Sequence, residues 1–128
     1  MSGRRGRPVR TTEVPTKVTV YEQVVPVVVV NDLRVTTQDC DCGEEHRNEA
    51  YGMFDPDGPA IILSDGQGWE RLRETLLHEN VHALLQFTGL TETLGGRDEE
   101  FASRLAPALL CWLRANRKVV KWLQKQLT

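Results

Sequence analysis

Thr75-Leu76-Leu77-His78-Glu79-Asn80-Val81-His82-Ala83-Leu84-Leu85 is the stretch on which the fold of this chain turns. Two histidines four residues apart, the first followed by a glutamate, sit inside an apolar run. Leu72, Leu76, Leu77, Val81, Ala83, Leu84 and Leu85 predict a mostly buried helix. On a helix, positions i and i+4 lie about 40° apart on one face. His78 and His82 can therefore share one Zn²⁺ at roughly 2.0–2.1 Å. Glu79 lies about 100° round the axis from His78. That is too far for a third ligand of the same ion, but it suits a general base facing a water on that ion. The alternative, two satisfied core histidines beside a carboxylate, would bury a charge with nothing to neutralise it.

The rest of the chain sets the frame. Its 128 residues suffice for one domain with one modest core. A net charge of −2 argues against a general polyanion binder. No run of 18 apolar residues occurs, so no membrane span and no membrane partner are expected. The basic N-terminus is not followed by an apolar stretch, so no secretory signal is expected. An odd count of three cysteines argues against a disulfide framework and for a reducing cytosol.

Outward from the motif, residues 1–16 are rich in Arg, Gly, Thr and Pro and are expected to be a basic disordered tail. Within it, Arg5-Gly6-Arg7-Pro8 resembles the core of an AT-hook, which implies a weak contact with the narrow minor groove of A·T-rich DNA. The alternative is a tail that only solubilises. Residues 17–128 are expected to form the single domain. Lys17 to Val30 is rich in valine and predicts strands near 17–22 and 26–30 around a turn at Glu22–Val25, or one bent strand, with Pro26 at an edge or bulge. Leu33 to Glu49 reads as a polar, acidic loop. It holds Cys40, Cys42 and His46, which are either free groups in solvent, the favoured reading, or donors for a second metal. Tyr51 to Leu63 predicts a hairpin turning at Asp55-Pro56-Asp57-Gly58. The motif helix is expected over Trp69–Thr88 with Gly89 as its cap. Leu90 to Arg97 reads as a linker. A second helix follows over about Asp98–Ala115, kinked or broken by Pro107, and a short amphipathic helix carries Val119, Leu123 and Leu127.

A zinc site that performs chemistry takes three protein ligands and leaves one position open. No histidine follows His82, so the acidic trio Asp98-Glu99-Glu100 supplies the candidates for the third. Glu99 shares a stripe with Ala102, Ala106, Leu109 and Leu113, the face expected to meet the motif helix. Glu100 lies in line with Arg104, and Asp98 is expected to be occupied as the helix cap. Small residues at 102, 103 and 106 would let two helices approach closely enough to share an ion. The alternative for the trio is favourable charge at a helix N-terminus.

His78-Glu79-x-x-His82 followed by a glutamate on a second helix resembles the gluzincin metallopeptidases. Asp98-Glu99-Glu100-Phe101-Ala102-Ser103 also resembles the Asn-Glu-Gly-Phe-Ala segment of the M1 aminopeptidases, which implies Glu99 as the zinc ligand. The wider run, Tyr51 to Pro56, Ile61 to Leu63, Glu74 to Leu85 and Glu99 to Leu113, is similar to small phage and bacterial proteins near the ImmA/IrrE and minimal-gluzincin groups. These resemblances imply an α+β fold, a short antiparallel sheet packed on the motif helix and a second C-terminal helix, with an edge strand bordering the zinc. They also imply a zinc metallopeptidase of the bacterial or phage-infected host cytosol acting on a peptide or protein substrate, with Glu79 as general base. The strand Ala60–Leu63 is expected to pair with substrate, and His46 or Tyr51 to assist at the oxyanion. The rival expectation is a zinc-stabilised phage accessory or structural protein without turnover, DNA-associated through its tail.

Overall fold

The computed structural model describes residues 14–31, 33–37, 46–49 and 51–125. The valine-rich segment folds as β1 (Lys17–Val20) and β2 (Gln23–Val30), an antiparallel hairpin joined by Tyr21 and Glu22 alone. Both turn residues have positive φ, 51° and 75°, as a two-residue turn matched to the strand twist requires, although neither is the usual Gly or Asn. The turn thus lies one to three residues before the position expected from composition. Along β2, Val25 and Val27 are buried while Val24, Pro26 and Val28 face out, a strict period of two. Pro26 causes no break, because pairing with the next strand begins only at Val27.

Residues 34–49 are not simply a loop. Arg34–Thr37 (β3) and His46–Glu49 (β4) form an antiparallel ladder, with Thr37 opposite His46. Cys40 and Cys42 lie outside the described residues, as does the Arg5–Pro8 segment. The hairpin after it is as expected: β5 (Gly52–Asp55) and β6 (Ala60–Ser64) flank a turn in which the Asp57 N–H donates to Asp55 Oδ1 at 2.9 Å.

The main sheet has the order β1-β2-β6-β5. It is mixed rather than wholly antiparallel, because β2 and β6 run parallel, Val27 facing Ile61 and Val30 facing Ser64. This order corrects one expectation. Ala60–Leu63 belongs to an interior strand whose two edges are already paired, so it cannot add a peptide; the edge strands are β1 and β5, and β5 is the one whose Gly52 packs on Thr75 of the motif-bearing segment.

Four helices complete the α+β fold: α1 (Trp69–Thr88), α2 (Leu90–Leu94), α3 (Asp98–Ala115) and α4 (Arg117–Gln124). α1 ends at Gly89, whose φ of 79° puts it in the left-handed conformation that closes a helix. Short α2 occupies part of the expected linker, and α3 runs without a break through Pro107. One core lies between the sheet and α1: Val20, Val25, Val27, Ile61 and Leu63 against Leu72 and Ala83. Val14 also belongs to it at 7 % exposure, so packing reaches into the stretch expected to be tail. A second cluster joins α1 to α3 through Val81, Leu85 and Ala102, with Leu105 and Leu109 alongside.

Candidate metal centre

Three parts of the fold converge on the motif. The first is α1 itself, which buries Val81, Ala83 and Leu85 and so turns His78 and His82 toward α3. Asn80 is neutral in this arrangement, its amide donating to the Leu76 carbonyl of its own helix at 2.8 Å.

The second part is α3. Ala102 and Ala106 are completely buried, and with no side chain beyond Cβ they let the two helices come close. Glu99, one turn before Ala102, is thereby carried to the histidines. Its Oε1 lies 3.0 Å from His78 Nε2 and 2.9 Å from His82 Nε2, and the two Nε2 atoms are 3.2 Å apart. Its other oxygen, Oε2, accepts a hydrogen bond from Ser103 at 3.1 Å. Glu100 faces away, toward Arg104 at 3.4 Å and Arg97 at 3.8 Å.

Asp98 departs from the sequence expectation. Arg97 holds the cap position, and Asp98 directs Oδ2 to within 3.4 Å of His82 Nδ1. A carboxylate behind the far nitrogen of an imidazole fixes which nitrogen keeps its proton and leaves Nε2 free as a donor to a cation. The sequence placed Asp98 among the candidates for the third ligand but assigned it the cap role, and marked Ser103 only as a small residue between the helices; neither contact was foreseen. The signal for Asp98 was its place beside Glu99, but composition alone suggested a cap.

The third part is β5. Gly52 packs against α1 so tightly that a Cβ there would meet the Thr75 methyl at 2.7 Å. A polar clamp holds the same corner. Gln67 Nε2 donates to the carbonyls of Tyr51 and Ser64, and Thr75 Oγ1 donates to Gln67 Oε1. One turn further along α1, Glu79 is buried at 6 % exposure and accepts the Phe54 N–H from β5. Burial pushes its carboxyl up to about 7. The charge on His78 opposes this rise, Glu99 adds to it, and the Phe54 hydrogen bond opposes it. Glu99 moves the other way. Burial works to raise its carboxyl, but the bonds from His82 and His78 and their charge outweigh burial, and the net direction is down.

The triangle of His78 Nε2, His82 Nε2 and Glu99 Oε1 has no comfortable proton arrangement. If both rings donate to Oε1, two N–H groups confront each other. If only one ring donates, a bare nitrogen confronts a carboxylate oxygen. A cation at the centre removes the conflict, because all three atoms then present lone pairs to it. Ligand atoms on a tetrahedral zinc with bonds of roughly 2.0–2.1 Å stand roughly 3.3–3.4 Å apart. The observed triangle matches one face of that tetrahedron, drawn a few tenths of an ångström tight. The donor set therefore fits zinc. An oxygen of Glu79 also lies within 4.8 Å of donor atoms on both histidines, close enough to face a water at the centre. Its carboxylate, however, is held by β5 and lies outside the tighter triangle.

Two hollows flank the cluster along β5. One, of about 250 Å³, is lined by Tyr51, Gly52, Arg71, Glu74, His78 and Glu99, with the Arg71 guanidinium stacked 4.4 Å over the Tyr51 ring. The other, of about 340 Å³, is lined by Met53, Phe54, Pro56, His82, Gln86 and Asp98. Tyr51 thus lies in the same cavity as His78, whereas His46 is placed on β4. Comparisons with known protein families, with characterised proteins and with solved structures return no match.

Proposed function

We propose that this chain is a zinc-dependent metallopeptidase of gluzincin type, working on an extended peptide segment. The observation that carries the proposal is the convergence of His78 Nε2, His82 Nε2 and Glu99 Oε1 on one point, with the buried carboxylate of Glu79 beside them. His78, His82 and Glu99 would hold the ion. Bound zinc supplies Lewis acidity, polarising a scissile carbonyl and making a water easier to deprotonate.

The remaining chemistry belongs to the chain. Glu79 accepts a proton from the attacking water and returns it to the departing amine. A carboxyl poised near neutrality is suited to both transfers. The Phe54 N–H keeps Glu79 aimed, and Asp98 keeps His82 oriented. β5, the edge strand beside the cluster, offers its backbone to a peptide laid beside it, and the hollows on either side of the cluster receive the flanking side chains. Tyr51 is the candidate donor to the oxyanion because it shares the hollow with His78. The cytosol is the proposed compartment; Cys111, an exposed free thiol, is compatible with it.

The test is hydrolysis of a broad peptide library by the zinc-loaded protein and its Glu79→Gln variant. Cleavage by the first alone supports the proposal. About one zinc per chain with no cleavage across the library would leave a zinc-stabilised protein without turnover. No zinc after supplementation would remove both readings.

A further inference from the structure

The last helix does not serve the core. α4 has no buried residue, and Trp122 and Leu123 are 71 % and 61 % exposed. At about 100° per residue, Val119, Val120, Trp122 and Leu123 occupy one sector of roughly 160°. Arg117, Lys118 and Lys121 occupy a separate sector of roughly 100°. Lys125 follows directly at the helix end. Trp122 lies at the margin of the apolar sector, next to Lys118. From Phe101 onward the chain carries no Asp or Glu, although the whole chain is net −2. Its basic residues there are Arg104 and Arg114, which face Glu100 and Glu70, and then Arg117, Lys118, Lys121 and Lys125 of α4 and its end.

An occupant of this face has to satisfy both sectors. A nucleic acid would neutralise the cations and leave Trp122 and Leu123 in water. A second copy of the chain would cover the apolar sector while bringing two basic segments together, at a cost in like-charge repulsion. An anionic lipid surface satisfies both. Apolar side chains enter the acyl boundary, lysines reach up to the phosphates, and a tryptophan at the polar–apolar margin sits at headgroup level.

We infer that α4 is a docking helix for anionic phospholipid surfaces, lying in the plane of the bilayer. This requires no span, and no helix among the described residues is long and apolar enough to cross a membrane. The expectation of no membrane partner rested on the lack of a span alone. The inference is also independent of the metal centre, which lies at the opposite end of α3.

The experiment is vesicle flotation of the full chain, with tryptophan emission read in parallel. Phosphatidylglycerol vesicles are compared with phosphatidylcholine vesicles at low and high salt. The expected result is binding to phosphatidylglycerol at least about tenfold tighter than to phosphatidylcholine, weakened by salt, with a blue shift of emission that disappears in Trp122→Ala. Lys118→Glu with Lys121→Glu should reduce binding at least about tenfold while leaving the circular dichroism spectrum and melting temperature unchanged. The inference is overturned if phosphatidylglycerol vesicles fail to float the protein. It is also overturned if the charge-reversed variant binds as the parent does, or if Trp122→Ala changes only a concentration-dependent dimer or only a mobility shift with duplex DNA.

Discussion

The two ends of α3 are made from the same helix and do opposite things. At the N-terminal end the side chains turned to α1 and its histidines are small or acidic. Ala102 and Ala106 are fully buried against α1, Glu99 reaches both histidines, and Asp98 reaches the far side of His82. At the C-terminal end they are large and apolar, with Arg114 the basic residue of the last turn. Trp112 and Leu113 are 44 % and 38 % exposed, and Arg114 makes a surface pair with Glu70 in the first turn of α1 at 3.2 Å. The stripe of Glu99, Ala102, Ala106 and Leu109 packs on α1 and then runs out at Leu113. The contrast shows where precision is needed. At one end three donor atoms lie 2.9 to 3.2 Å from one another and the helices are in close contact. At the other end no such convergence is seen, and large apolar side chains stay exposed.

The largest expected effect tests the chemistry at the tight end. Glu79→Gln preserves shape and removes the base, so zinc content and fold should stay near wild type. Hydrolysis of a verified substrate should fall by about 10²–10⁴-fold. His78→Ala removes a ligand instead, so zinc, hydrolysis and part of the stability should go together. Zinc analysis alongside the kinetic assay separates the two variants. Full activity in Glu79→Gln would end the mechanism given above.

Next in size is a pH effect in the zinc-free protein. The Glu79 carboxyl is raised from 4.5 to about 7 by folding, chiefly through burial. Its contribution to stability is therefore fully present below about 4.5 and is lost as pH rises through about 7. A difference of that size corresponds to roughly 3 kcal/mol. Glu79→Gln carries no such charge. Without zinc it should melt close to wild type at pH 4.5 and well above it at pH 8. Glu99 shifts in the opposite direction, so its contribution is lost as pH falls instead. It is largely exposed, which makes that loss small. Zinc should shrink the gap at pH 8 by neutralising Glu79. Equal melting temperatures for the zinc-free proteins across this range would mean that Glu79 is not held in the dry position described.

A smaller effect tests the approach of the helices. Ala102→Leu forces extra volume between α1 and α3 and should cost about 1–3 kcal/mol. It should also lower zinc affinity, because Glu99 is displaced with the helix. Glu100→Ala, one residue from the ligand but turned to Arg97 and Arg104, should leave zinc binding nearly unchanged. If both variants bound zinc normally, close packing would not be what brings Glu99 to the site.

These tests also mark what was legible in the residues. The bounds of α1 could be read directly from apolar spacing and Gly89, and those of α3 from a stripe that also selects Glu99 over Glu100. Both signals are local and repeat every turn. The parallel pairing of β2 with β6 leaves no such trace, since Val27 and Ile61 are distant in the chain and neither strand's pattern names its partner. The β3–β4 ladder is built from Arg-Val-Thr-Thr and His-Arg-Asn-Glu, which lack the alternation that marks a half-buried strand. The turn at Tyr21-Glu22 was hidden because the tertiary fold imposes positive φ on residues that do not favour it. Asp98 was misread because the cap preference of aspartate is a local rule, and here the pull of His82 lies across the helix pair.

The smallest expected effect lies at the loose end and is informative because it is small. Trp122→Ser removes the most exposed large apolar side chain among the described residues. Losing a buried tryptophan typically costs about 3–5 kcal/mol, whereas a surface position away from packed features changes stability within about 0.5 kcal/mol. Since α4 buries nothing, the second figure applies, and denaturant midpoints of parent and variant should coincide at low protein concentration. Helix propensity is about the same for tryptophan and serine, so it adds nothing beyond that margin. A loss of several kcal/mol, independent of concentration, would mean that Trp122 is packed within its own chain. A loss that appears only as concentration rises would mean that a second copy covers it. Coincident midpoints, with membrane binding lost, are what a side chain kept for a lipid surface rather than for the fold must give.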